Sequence, residues 1–230
     1  MKNFTILYIT IISVFSLNSY SQQGKIASGD KKYDNYAYID AIKTYERVAE
    51  KGYKSEDMFK KLGNSYYFNS EFDKASKWYA ELFAMNTEVE PEYYYRYAQS
   101  LKSTGDITKA NQILDIFNQK SKKDTRGKLY EDDKNYLEQI KLNSGRYKIE
   151  NAGINSKYSD YGTAFYQNKI VFASARDTGS LGQRKHKWTG EYFTNLYESG
   201  VDQDFNPNTP KKFKSKKLDS KFVVTRIEDF

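Results

Sequence analysis

The chain has 230 residues but no cysteine and one histidine. Without cysteine it can form no disulfide bond, and it lacks the residue that bacterial lipoproteins acylate at their cleavage site. The one histidine, His186, lies among cationic residues, whereas a metal site needs several convergent ligands. Neither a GxxxxGK[ST] phosphate-binding loop nor a GxSxG nucleophile motif is present. We therefore expect no lipid anchor, no metal, no cofactor and no catalytic activity.

The chain contains one long apolar run, at residues 4–17, directly after a short charged start. This run is shorter than the roughly 20 residues that a membrane-spanning helix needs. Ser19 and Ser21 follow it at the spacing of a signal-peptidase cleavage site. The pattern predicts a secretory signal peptide over residues 1–21, with an uncleaved membrane anchor as the alternative. We therefore expect an exported protein that is located in the periplasm.

Basic residues outnumber acidic residues by 37 to 30, which gives a net charge of +7. They form local runs at residues 120–123 and 211–217. A basic balance can indicate nucleic-acid binding, but export, interspersed acidic residues and the absence of a nucleic-acid-binding motif argue against it. We interpret the excess as solvated surface charge that attracts anionic polymers of the cell envelope.

The clearest pattern in the sequence is a repeat with a period of about 34 residues. Each unit has small and large apolar residues at the same four positions, and corresponding positions are 34 or 35 residues apart. The aligned positions are Gly29, Gly63 and Ala98; Ala41, Ala75 and Ala110; Tyr45, Tyr79 and Leu114; and Val48, Leu82 and Phe117. A period of this length, with small residues flanked by aromatic ones, is typical of tetratricopeptide (TPR) repeats.

The middle unit, residues 59–82, shows how each repeat is expected to fold. Its first half carries apolar and small residues three or four positions apart, so they share one helical face. Asn69 and Ser70 then favour a turn before the second helix. We expect helix pairs at about residues 25–50, 56–85 and 90–119, followed by a terminal helix at residues 129–142 that caps the array.

Beyond Gly145 the helical periodicity gives way to short β-prone runs at residues 147–149, 162–167, 170–175 and 193–197. Asn168 predicts a hairpin turn between the second and third of these runs. The order of the motifs resembles one blade of a TolB-type (PD40, WD40-like) β-propeller. The residues that carry the resemblance are Ser159, Asp160, Ala164, Phe165, Phe172, Ser174, Arg176, Asp177, Leu196 and Tyr197.

This resemblance implies that residues 146–230 begin a propeller and contain about one blade of it. A propeller closes with about four to eight such sheets, and one small sheet is marginal in water. We therefore expect a truncated chain, with docking of the sheet onto the helices as the alternative. The predicted fold class is α+β multidomain: an all-α TPR superhelix over residues 22–145, followed by an incomplete β-propeller.

The order of parts resembles the N-terminal part of Bacteroidetes OmpA-family envelope proteins. The signal peptide, the TPR helices, the NSGRY junction at residues 143–147 and the YSDYG…FASARDTG blade carry this resemblance. It implies a periplasmic protein associated with the outer membrane, a role in type IX secretion or gliding motility, and a PorP/SprF-type outer-membrane partner. Peptidoglycan binding in the family belongs to a C-terminal OmpA-like domain that is absent from these residues. No nucleic-acid partner is expected.

A candidate partner-binding site lies on the first helices of the second and third repeats. TPR grooves that bind a C-terminal carboxylate place Lys and Asn four residues apart, and Lys60 and Asn64 have that spacing. Lysine or arginine pairs with a carboxylate and asparagine donates a hydrogen bond to it. The match is partial, because that clamp carries Asn where Arg96 stands and a cation where Glu92 stands. The candidate site residues are Lys60, Asn64, Tyr67, Tyr95, Arg96 and Gln99, and the alternative interpretation is a set of solvated helix faces.

These features predict a non-catalytic periplasmic scaffold that binds a protein or peptide partner through its TPR groove and propeller. Two other functions stay open at this point. One is glycan capture of the SusD type, since those proteins also contain TPR helices, although they are usually anchored through a cysteine. The other is an exported hydrolase associated with a propeller, in which His186 would be the one available imidazole base.

Overall fold

The computed structural model describes residues 22–134, 136–176, 179, 182–203 and 206–214. The predicted signal peptide, residues 1–21, and Asp177 of the blade motif lie outside this part of the chain. The chain divides into two compact units between Gln139 and Ile140. The first is a helical unit and the second contains a β-sheet.

The described residues form eight helices. They are α1 (22–34), α2 (Tyr38–Ala49), α3 (Glu56–Phe68), α4 (Phe72–Ala84), α5 (Pro91–Ser103), α6 (Ile107–Lys120), α7 (Thr125–Asp132) and α8 (Tyr136–Leu142). The three predicted helix pairs are confirmed as α1–α2, α3–α4 and α5–α6. The single terminal helix predicted at residues 129–142 is wrong. Asp133 leaves helical geometry at φ −143° and ψ 69°, so two shorter helices form, and none of the α8 residues is buried.

Both ends of α3 follow from local chemistry. The Ser55 hydroxyl accepts a hydrogen bond from the Met58 N–H at 3.2 Å, which caps the start of α3. Glu56 and Asp57 in the first turn face the positive end of the helix dipole. The turn predicted at Asn69 and Ser70 is confirmed at the C-terminal end of α3, where Ser70 has a φ of 58°. Short turns of this kind make consecutive helices spatial neighbours.

The repeat positions form the core of the helical unit. All nine second-helix positions are at most 2% exposed: Ala41, Tyr45, Val48, Ala75, Tyr79, Leu82, Ala110, Leu114 and Phe117. Each helix from α2 to α6 packs against the next one along the chain, and α3 also contacts α5. This stack of helix pairs is a TPR-like arrangement, as the 34-residue period predicted.

Glycine is required where the first helix of a repeat meets a tyrosine of the second. A Cβ atom at Gly63 would lie 2.5 Å from Cε1 of Tyr79, and one at Gly29 would lie 2.6 Å from Cε1 of Tyr45. A side chain at either position would therefore push the tyrosine ring out of the core. The missing side chain lets the two helices pack closely around a buried aromatic ring.

The second unit contains a four-stranded antiparallel sheet. Its strands lie in chain order, β1 (Asp160–Tyr166), β2 (Lys169–Ser174), β3 (Asn195–Gly200) and β4 (Lys211–Lys212). Three predicted strands are confirmed within a few residues, and Gln167 and Asn168 form the predicted hairpin turn with φ of 47° and 57°. The strand predicted at residues 147–149 is wrong, because Tyr147 and Ile149 are largely exposed and pair with no other strand.

A small core lies on one face of this sheet. Ile170, Phe172 and Tyr197 are buried there, with Ile154 and Val201 packed against them. The described residues contain this one sheet and no second one, so they form an α+β chain with a TPR-like helical unit.

Candidate functional site

Side chains from the first helices of consecutive repeats contact one another. They form a surface on α1, α3, α5 and α7, which we call the first-helix face. Asn64 of α3 lies at its centre and is 4% exposed. Its Nδ2 donates to the Tyr33 hydroxyl of α1 at 3.0 Å. Its Oδ1 accepts from the Tyr79 hydroxyl and from Arg96 Nη1 of α5, both at 2.8 Å. The structure therefore brings two predicted site residues, Asn64 and Arg96, into direct contact.

Glu92 extends this network from α5 to α7. Its Oε1 accepts from Arg96 Nε at 2.9 Å, and its Oε2 accepts from Arg126 Nη2 at 2.8 Å. Burial alone would raise the pKa of Glu92, but the two guanidinium groups outweigh it and lower the pKa. Arg126 also pairs with Asp124 at 2.9 Å, and these partners raise the pKa of Arg126. One continuous set of hydrogen bonds thus links four consecutive first helices.

Aromatic rings flank both arginines on the first-helix face. The guanidinium carbon of Arg96 lies 4.9 Å from the ring centre of Phe68 and 5.8 Å from that of Tyr67. That of Arg126 lies 4.3 Å from the ring centre of Tyr95. Tyr67 and Tyr95 are both partly exposed. Burial raises the pKa of Tyr67 and the neighbouring Tyr95 raises it further, so the Tyr67 hydroxyl is neutral at physiological pH.

Lys60 is held by two carboxylates of its own chain. Its Nζ lies 2.6 Å from Glu56 Oε1 and 2.5 Å from Glu90 Oε2, and 5.0 Å from the ring centre of Tyr93. Burial lowers the pKa of Lys60, but these two partners raise it above its ordinary value. Within the described part of the chain, no hydrogen bond joins Lys60 to Asn64. A ligand carboxylate would have to displace Glu56 or Glu90 to reach it.

The remaining polar groups of the first-helix face include donors that are free for a ligand. Arg96 Nη2 and Arg126 Nη1 make no hydrogen bond within the described part of the chain, where every buried side-chain nitrogen and oxygen has a partner. Both groups therefore contact solvent. Gln99, one turn after Tyr95, is partly exposed and takes no part in the network.

Sequence reasoning missed Tyr33 and Arg126 and treated Glu92 as a departure from a clamp. The repeat period could have predicted both the contact of Tyr33 with Asn64 and the contact of Glu92 with Arg126. Tyr33 precedes its partner Asn64 by 31 residues, and Glu92 precedes Arg126 by 34. Polar residues of complementary type that are about one repeat apart are brought together because consecutive repeats stack with the same geometry.

Within the described ranges, no group of three or more histidine, cysteine or acidic residues is arranged to bind a metal ion. None of the helices in those ranges combines the length and the apolar character that crossing a membrane requires.

No protein-family model and no curated protein matches the chain. Among solved structures, the chain is similar to the C-terminal part of a TPR repeat-containing protein from Cytophaga hutchinsonii, at 19% identity and a TM-score of 0.40. That match covers 53% of this chain and 45% of the Cytophaga chain, so this chain spans less than half of that protein's length.

Two further solved structures are similar over about half of the chain. SycD, a translocator chaperone from Yersinia enterocolitica, is 16% identical with a TM-score of 0.39, over 56% of this chain and 92% of SycD. PcrH, solved with the chaperone binding region of PopB, is 17% identical with a TM-score of 0.38, over 46% of this chain and 86% of PcrH. At these TM-scores the TPR assignment rests on the repeat spacing and helix packing of the chain itself.

Proposed function

We propose that the helical unit is a non-catalytic scaffold that binds a segment of a partner protein on the first-helix face. The observation that carries this proposal is the pair of partly exposed rings, Tyr67 and Tyr95, beside two arginines held in fixed positions. Arg96 is fixed by Asn64 and Glu92, and Arg126 by Glu92 and Asp124. A surface that is ordered before binding loses little conformational entropy when a partner docks.

The chemistry of this surface indicates the kind of segment that it accepts. Ring faces of Tyr67 and Tyr95 bury apolar side chains of a partner, and tyrosine is common where protein interfaces are strongest. The free donors on Arg96 and Arg126 match backbone carbonyl or carboxylate oxygens. We therefore expect an extended or helical peptide segment with apolar side chains, contacted along its length by α3, α5 and α7.

The cellular setting is part of the same proposal and rests on the sequence. The pattern at residues 1–21 supports export to the periplasm, and the order of the TPR helices and the blade motif supports association with the outer membrane. By resemblance to OmpA-family envelope proteins, the partner is a PorP/SprF-type outer-membrane protein of type IX secretion or gliding motility. Peptidoglycan binding is not proposed for these residues.

Site-specific photocrosslinking in the producing cells tests the proposed face. A photoreactive phenylalanine replaces Tyr67 or Tyr95, and a matched control replaces Ile116, which is 37% exposed on the second helix α6. We expect one discrete adduct from positions 67 and 95, weaker when Arg126→Gln is added, and none from position 116. Equal adducts at all three positions, or none at 67 and 95, would contradict the proposal.

The identity of the crosslinked protein tests the proposal that the partner is a PorP/SprF-type outer-membrane protein. Mass spectrometry of the product gives the partner, and the purified partner segment is then titrated against the full chain by fluorescence anisotropy. A PorP/SprF-type protein in the adduct supports the envelope role. Another partner would leave the binding face intact but remove that role, so the two parts of the proposal fail separately.

A further inference from the structure

Six of the seven net positive charges of the chain belong to one unit. Residues 22–139 contain 20 basic and 20 acidic residues, whereas residues 140–230 contain 16 basic and 10 acidic residues. The helical unit is thus neutral, and its first-helix cations are paired with acids. The excess charge belongs to the unit that contains the sheet.

Four lysines of that unit line one cleft of about 530 Å³, with Glu198 as the acidic residue among its lining residues. Lys169 already pairs with Glu198, at 3.0 Å between Nζ and Oε1. Lys211, Lys212 and Lys214 are exposed and form no ion pair with any described residue. Like charges that line one cleft repel one another, and an anionic ligand would relieve the repulsion.

The register of the sheet places an aromatic ring beside these lysines. Tyr166 pairs with Lys169 across the hairpin, and Glu198 pairs with Lys211 on the next two strands. These four residues lie on the same face of the sheet, because Val171 pairs with Glu198 and shares a face with Lys169. Tyr166 is 53% exposed there. The cleft therefore offers an open ring face together with unpaired ammonium groups.

We propose that this cleft binds an acidic oligosaccharide. Carboxylates on successive sugar rings pair with Lys211 and Lys214, and a sugar ring packs against Tyr166, which is apolar across its face and polar at its hydroxyl. A volume near 530 Å³ is within the range of small-ligand sites. The site is separate from the first-helix face and does not depend on the function proposed for it.

Isothermal titration calorimetry of the full chain with tetragalacturonate tests this site. The same oligosaccharide as its methyl ester keeps the sugar rings and removes the charges, and oligothymidylate keeps closely spaced anions and replaces the sugar acid with a nucleic acid. We expect tetragalacturonate to bind, the methyl ester to fail, and oligothymidylate to bind at least about tenfold more weakly than tetragalacturonate. We also expect affinity to fall with added salt.

The matched variants are Lys211→Thr/Lys214→Thr and Arg184→Thr/Lys187→Thr. Both remove two positive charges from the same unit, but the second pair lies outside the cleft. We expect the cleft variant to bind tetragalacturonate at least about tenfold more weakly, with a shallower salt dependence, and the control to bind like the wild type. Circular dichroism confirms that both variants are folded.

Four outcomes would overturn the proposal. They are no binding of tetragalacturonate, equal binding of the methyl ester, equal binding of oligothymidylate, and equal loss in the two double variants. The first outcome would assign the lysines a protective role at the exposed edge strand β4, where lysine discourages strand pairing between molecules.

Discussion

Arg96 Nη1 donates a hydrogen bond to Asn64 Oδ1 at 2.8 Å, and this bond joins the first helices of two consecutive repeats. The same asparagine bonds to Tyr33 and Tyr79, so one buried amide holds three neighbouring helices to its own. The groups that order the array therefore also position the arginine of the proposed binding face. Stability and binding are coupled at this point.

Replacing Asn64 with alanine tests this coupling. The change leaves the Tyr33 and Tyr79 hydroxyls and Arg96 Nη1 without their partner, and we expect the helical unit to lose about 3 kcal/mol of unfolding free energy. Urea denaturation followed by Trp78 fluorescence in a Trp188→Phe background measures that unit. The control, Gln99→Ala, removes an amide outside the network and should change stability by less than about 0.5 kcal/mol. Equal losses in the two variants would refute the role of Asn64.

The contact between Gly63 and Tyr79 predicts a pair of compensating substitutions. Gly63→Ala places a methyl group against the Tyr79 ring, and we expect it to cost about 1–3 kcal/mol. The third repeat has Ala98 and Leu114 at the equivalent positions, so Tyr79→Leu should make room for the added methyl group. A double-mutant cycle by urea denaturation measures the coupling between the two sites. Additive losses, without any recovery in the double variant, would contradict the steric explanation.

Asp160 predicts how the sheet responds to acid. Burial alone would raise its pKa, but hydrogen bonds from Ser174, Ser156 and Arg176 lower the pKa from 3.8 to about 2. A carboxyl with a lowered folded-state pKa stabilises the fold above its unfolded pKa, and this contribution is lost as the pH falls. We therefore expect the sheet to lose stability between about pH 4 and pH 2.

Acid unfolding of Asp160→Asn checks this prediction, followed by Trp188 fluorescence in a Trp78→Phe background. The variant should be less stable than the wild type at neutral pH, and the difference should shrink towards pH 2, where the wild-type carboxyl is increasingly protonated. Glu150→Gln, which removes an exposed carboxylate of the same unit, should follow the wild-type profile. A difference between Asp160→Asn and the wild type that does not vary with pH would contradict the assignment.

Arg176 fixes the end of β2 through its planar guanidinium. It donates to Ile154 O at 2.9 Å and Asp160 Oδ1 at 3.0 Å, and its guanidinium carbon lies 5.2 Å and 4.9 Å from the ring centres of Phe172 and Tyr197. Lysine keeps the charge but cannot stack as a plane or match the fixed fork of donors that arginine presents. We expect Arg176→Lys to cost about 2 kcal/mol in the unfolding free energy of the sheet.

Urea denaturation followed by Trp188 fluorescence in the Trp78→Phe background measures the loss in Arg176→Lys. The matched control, Arg184→Lys, changes a loop arginine outside the sheet and should alter stability by less than about 0.5 kcal/mol. Equal stability of Arg176→Lys and the wild type would show that charge alone, rather than planar geometry, is what this position requires.

The sequence by itself determined the elements that depend on local periodicity. The alanines at 41, 75 and 110 recur with the 34-residue period and predicted the three helix pairs, because one buried face of a helix repeats every three or four residues. Asn168 predicted the hairpin, since few residues adopt the left-handed conformation that a two-residue turn needs. Local patterns also misled in two places. The helical spacing at 129–142 is interrupted at Asp133, and the β-prone run at 147–149 forms no strand because no other strand pairs with it.

The tertiary structure alone decided which polar side chains meet. Spacing on one helix suggested that Lys60 and Asn64 act together. In the structure, Lys60 pairs with Glu90 from the start of α5. Asn64 instead bonds to Tyr33, Tyr79 and Arg96 on three other helices. Charged and amide groups form their bonds with whatever partner the packing brings within about 3 Å, and for Asn64 all three partners come from other helices of the stack. Helical periodicity is a property of one segment, whereas a polar network is a property of the stack.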